Sequence, residues 1–186
     1  MSSDDALVTR SVREFIASVA STAEPVPAGG SVAALTGAAS AALLALVAEL
    51  LDRKRVAGAS ELLARARTVQ DRLVGLIDAD AAAYRAYLAA RRSPRAELQA
   101  ALDRTTQTPL DIATACREVV TLSRDVERRT TGQLLGDVRT ARGLARAAVM
   151  AAVDIAEQNV VLQTDPAAQA RLQAEIARLT AQSSAG

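Results

Sequence analysis

The sequence has no histidine and no tryptophan, and among 186 residues it carries one cysteine, one phenylalanine and two tyrosines. A lone Cys116 excludes an intrachain disulfide framework. Without histidine, one chain cannot build a zinc site or a Ser–His or Cys–His catalytic pair. Acid–base chemistry is therefore left to carboxylates, Lys54, tyrosines or bound water, and no metal or cofactor is expected. Charge of one sign is also missing: the formal net charge is +1. No basic stripe forms, and no aromatic platform accompanies the arginines, so nucleic acid is excluded as an expected partner. The first ten residues, MSSDDALVTR, are polar and acidic, unlike a signal peptide, and a cytoplasmic address is expected.

What is present is aliphatic. Half the residues are hydrophobic but only 2% are aromatic, so the core must be assembled from Ala, Leu, Val and Ile, which favours closely spaced helices. The length suits a single domain over 1–186. The run from Ser31 to Leu51 is long enough to cross a membrane, at about 20 residues. It is Ala-rich, contains Glu49 and follows a Gly-rich loop, and the other segments are amphipathic. A buried central helix is the expected reading, with no membrane partner.

Helical periodicity dominates, with no alternating strand pattern. A first helix is expected over Asp4–Ala20, with Leu7, Val8, Val12, Phe15, Ile16 and Val19 on one face. TAEPVPAGG breaks it. Ser31 reads as the N-cap of a second helix ending near Lys54, and a third covers Ser60–Arg91. Ser93-Pro94, Thr108-Pro109 and Asp165-Pro166 each read as a cap followed by a first-turn proline, opening three further helices. Another long helix runs from Val138 to Gln163, and the tail TAQSSAG is expected to fray. The sum is an all-α antiparallel bundle of about seven helices. The small residues Ala34, Ala38, Ala41, Ala42 and Ala45 form a face suited to the core or to a dimer interface.

Several polar residues stand where the pattern does not call for them. Asp80 falls on the apolar stripe of Leu73, Leu76, Ile77, Tyr84, Tyr87 and Leu88. A carboxylate there needs a partner, and burial raises its pKa towards the range useful for proton transfer. A salt bridge to an arginine is the structural alternative. Asp78, at the edge of the stripe, is expected to be solvated. Gly29, Gly30 and Ser31 present free backbone N–H groups at a helix start, which favours an anionic group or simply eases the turn. Asp137 can be an N-cap or a site carboxylate. Asn159, in an apolar stretch, needs buried partners: a ligand or another helix. Lys54 can bind a substrate carboxylate or simply complement a helix C-terminus.

The segments SVREFIASVAS, PVPAGGSVAAL, DRKR, LIDADAAAYRAYLAARRSP, TPLDIATACREV and LGDVRTARGLARAAVMAAVDIAEQNVVLQTD occur in an order and spacing that resemble the cyclodeaminase/methenyl-tetrahydrofolate cyclohydrolase family. The resemblance implies a homodimeric enzyme acting on a C–N bond of a tetrahydrofolate derivative, which is substrate rather than cofactor. It implies Asp80 and Asp137 as catalytic carboxylates, and Gly29, Gly30, Ser31, Lys54, Tyr84 and Asn159 as substrate contacts. Ala28, Thr131, Gly136 and Ile155 depart from the family pattern and make the implied pocket less polar. Two alternatives stay open: a C–N reaction on another small molecule, and a non-catalytic dimeric scaffold. Whether Asp80 and Asp137 share a cleft or are consumed by arginines distinguishes them.

Overall fold

A computed structural model describes residues 6–23 and 26–184, with side chains up to residue 181. Among these, a 3-10 turn at Leu7–Thr9 precedes six α-helices: α1 (Val12–Val19), α2 (Gly29–Arg53), α3 (Ala59–Ala90), α4 (Arg95–Glu127), α5 (Leu134–Val160) and α6 (Pro166–Ser184). Six replace the expected seven because Thr108-Pro109 does not open a helix; Pro109 lies inside α4. The helix expected from Asp4 starts instead at Val12. Ser11, in an extended conformation, caps α1 through a reciprocal box with Glu14, which fixes the start of the helix locally. Asp4 itself lies outside the described residues. α5 begins four residues earlier than expected, and α6 continues through most of the tail.

Helices α2 to α5 form an up-down-up-down bundle. Ion pairs mark the antiparallel registers: Arg67 with Glu49 between α3 and α2, Arg72 with Glu118 between α3 and α4, and Arg142 with Glu127 between α5 and α4. α2 packs on α3, α4 and α5, and α6 packs on α5 and α4. Ala34, Ala38, Ala41 and Ala45 are buried, so α2's small-residue face serves the core. Gly37 brings α2 close to α4 and α3: a Cβ there would overlap Cys116 Sγ and crowd Leu73. α2 is the one described helix apolar and long enough to cross a membrane, yet 61% of its most apolar window is buried inside the protein. That burial is what a core helix needs.

Asp78 keeps partial exposure at the edge of the stripe, and its Oδ1 accepts the Leu7 amide at 2.6 Å, tying the 3-10 turn to α3. On the N-terminal apolar face only Leu7 and Phe15 are buried, while Val8, Val12, Ile16 and Val19 are exposed. With Leu35, Val74 and Ile77, all of these except Val19 line an open groove of about 240 Å³. α2 adds Val32, Leu35 and Leu46 to the exposed apolar surface, and α5 adds Leu144 and Met150.

Candidate active site

At one end of the bundle, the start of α2 meets the second halves of α3 and α5 and the first half of α4. A cavity of about 250 Å³ opens there, lined by Val26, Ala28, Gly29, Gly30, Asp80, Tyr84, Thr105, Ile155 and Asn159. Its walls are largely apolar, and its polar side chains come from three different helices.

Asp80 is the centre of this arrangement. Ser31 does not cap α2, whose N-cap position is Ala28; it is instead fully buried, and its hydroxyl lies 3.0 Å from both Asp80 Oδ2 and the Ile77 carbonyl. The carboxylate sits so close to α2's first turn that a Cβ on Gly30 would overlap Oδ1. Gly30 is thus required by close approach. Burial pushes the Asp80 carboxyl above the ordinary aspartate range, and hydrogen bonds from the Ser31 side chain and backbone oppose the shift. No arginine contributes to that balance. Asp80 is therefore a half-buried carboxyl facing a cavity, the setting that a general acid–base requires.

Asn159 donates through Nδ2 to the Thr105 carbonyl at 2.7 Å, the interhelical alternative for this residue. Tyr84 is partly exposed at the cavity, with its ring tilted against Tyr87. Thr105 is the residue that sequence reading missed. A signal was present: Pro109, four positions later, lacks the N–H that would occupy the Thr105 carbonyl.

Lys54 and Asp137 do not join this cavity within one chain. Lys54 is exposed at the C-terminus of α2, about 37 Å along the helix from Gly29 at 1.5 Å per residue. It belongs to a turn in which the Val56 amide donates to the Leu51 carbonyl and Arg55 takes a left-handed φ of 58°. Asp137 lies in the first turn of α5 rather than at its N-cap, about 33 Å from Asn159 by the same rise. Because α2 and α5 run antiparallel, both residues fall at the far end of the bundle. The expectation that Asp80 and Asp137 face one cleft thus fails for the single chain. A helix rises too steadily for residues two dozen apart to share an end.

Comparison with known proteins agrees with this architecture. The chain is 30% identical over 145 residues to a methenyltetrahydrofolate cyclohydrolase of Methylorubrum extorquens, covering 70% of this chain and 69% of that protein. Its fold is similar to the crystal structure of a formiminotetrahydrofolate cyclodeaminase from Thermotoga maritima, with a TM-score of 0.88 over 94% of this chain and 90% of that one, at 22% identity. The formiminotransferase-cyclodeaminase family model matches residues 11–178. By that match, which runs from α1 into α6, the chain belongs to the formiminotransferase-cyclodeaminase family.

Proposed function

We propose that the chain is a cytoplasmic enzyme of folate one-carbon chemistry that acts on a C–N bond, as a methenyl-tetrahydrofolate cyclohydrolase or a formimino-tetrahydrofolate cyclodeaminase. The observation that carries this reading is Asp80: half-buried, held by Ser31, unpaired with arginine and facing the cavity. In the hydrolytic direction, ionised Asp80 takes a proton from the water that adds to the carbon between the two folate nitrogens. The resulting acid returns that proton to the nitrogen whose C–N bond breaks, and the carbinol hydroxyl gives its own proton to solvent as it becomes the formyl carbonyl. In the cyclising direction, N10 attacks the formimino carbon and the proton is delivered to the departing ammonia. Both routes use one carboxyl whose pKa burial lifts above the ordinary aspartate range, which favours proton transfer. Gly29, Gly30 and Ser31 position the reacting ring, and Tyr84 and Asn159 flank it. No metal or redox group enters the scheme.

The test is loss of the methenyl chromophore, and ammonia release from the formimino compound, with wild type and Asp80→Asn. The wild type should exceed the spontaneous rate. The variant should lose about 10²–10⁴-fold, the usual worth of acid–base catalysis. No acceleration by a folded wild type would move the site to a second reading, a C–N reaction on a smaller molecule. The cavity's size and the apolar wall formed by Val26, Ala28 and Ile155 support that reading.

We also propose that the working form is a homodimer. The exposed apolar residues of α1, α2 and α5 support it, since monomers rarely expose contiguous apolar patches beyond a few hundred Å². An antiparallel pairing of two α2 helices would bring Lys54 and Asp137 of a second copy to the end of the bundle that holds the Asp80 cavity. That is the arrangement in which both would serve the reaction.

A further inference from the structure

A proline inside a helix removes one backbone donor and leaves the carbonyl four residues earlier without its partner. In α4 the proline is Pro109, buried, and the carbonyl is that of Thr105. A carbonyl accepts only, so it selects the amide end of any Asn that approaches. Asn159 Nδ2 donates to it at 2.7 Å from α5. This choice settles which way the Asn159 amide faces: one Nδ2 hydrogen is used, and Oδ1 has no hydrogen-bond partner among the described residues. Asn159 lines the cavity together with Thr105 and Asp80. The amide therefore offers the cavity an acceptor, as Asp80 does when ionised.

We propose that Pro109 is a positioning residue for the cavity: by freeing the Thr105 carbonyl it turns Asn159 so that Oδ1 receives an N–H group of the ligand. The ligand class this selects is a flat nitrogen heterocycle presenting N–H donors, with one donor towards Asn159 and another towards Asp80. The ligand contact rests on the cavity being the reaction site, as proposed above; the coupling between Pro109 and Asn159 does not.

The experiment is a double-mutant cycle of Pro109→Ala and Asn159→Ala, read by urea unfolding and by kcat and KM for methenyl-tetrahydrofolate hydrolysis. In the wild-type background, Asn159→Ala strands the Thr105 carbonyl and lowers the unfolding midpoint. In the Pro109→Ala background a backbone N–H returns to that carbonyl, and the same substitution should leave the midpoint nearly unchanged. Pro109→Ala alone should raise KM by roughly three- to tenfold, the worth of one hydrogen bond, with kcat changed far less. Adding Asn159→Ala should then raise KM no further. A purely structural Asn159 would move the midpoint and leave KM alone, which overturns the ligand contact. Equal midpoint losses in the two backgrounds would overturn the coupling. Absence of turnover in the wild type would sink the reaction and the ligand contact with it, while the unfolding cycle still decides the coupling.

Discussion

Removing half the water from a carboxylate raises its free energy in the charged form, and at Asp80 only Ser31 and the first turn of α2 offset that loss. The folded-state pKa stands above the unfolded one, so the group's contribution to stability is fully present below the unfolded pKa. It is lost as pH rises through the folded value. At pH 7 an ionised Asp80 therefore weakens the fold it serves. Asp80→Asn should raise the melting temperature at pH 7 while removing activity, and the gain should shrink towards pH 4 as Asp80 takes up its proton, which calorimetry at the two values would check. An unchanged melting temperature at both values would show that Ser31 already offsets the burial. Glycines make a sharper contrast. Gly30→Ala drives a methyl into the Asp80 carboxylate and should cost about 1–3 kcal/mol by overpacking, with turnover lost as Asp80 is displaced. Gly75→Ala in α3, with open space around the added methyl, should stabilise by about 0.5–1 kcal/mol through helix propensity. Urea titrations of the pair would check the opposite signs.

The three cap-plus-proline signatures show what a local reading reaches. Asp165-Pro166 does open α6, with Asp165 Oδ1 accepting the Ala167 amide at 3.0 Å. Pro94 immediately precedes α4. Thr108-Pro109 has the same local chemistry and yet lies mid-helix. What differs is about 50 residues away, on α5 and the turn that follows it: Asn159 serves the freed Thr105 carbonyl, and Gln163 donates to Thr106 at 3.0 Å. No window around Pro109 contains that information. The Asp80 stripe was legible because its neighbours share its helix, and Ser31 was misjudged as a cap because its true partner is on α3. Asp137 and Lys54 carried a chemical type but no distance, and spacing along straight helices sends them to the far end. The closest helix crossing gives an element-scale test. Gly37→Ala must push α2 from Cys116 and Leu73, at a cost of about 1–3 kcal/mol. Cys116→Ala should recover part of that in the double variant, which unfolding titrations would resolve; fully additive losses would mean that Leu73 carries the whole strain.

At the scale of the molecule, two apolar surfaces and a net charge of +1 leave little to keep copies apart. Sedimentation of the wild type should report a dimer at micromolar concentration. Leu46→Glu on the exposed side of α2 should shift it to monomer without loss of helicity. If activity requires Lys54 or Asp137 from a second copy, specific activity should fall on dilution and fall further in that variant; a fully active monomer would confine the reaction to the Asp80 end. The single thiol offers a different window on the same body. Cys116 is fully enclosed, packed against Gly37 of α2, and burial pushes its pKa up to about 12. A thiol reagent at neutral pH thus meets neither an accessible sulfur nor a thiolate until α2 and α4 separate. Fraying of α1 or α6 leaves it silent. The rate at which the native protein takes up a slow alkylating label is consequently a clock for rupture of the central bundle, readable by mass spectrometry without denaturant and without introducing a probe.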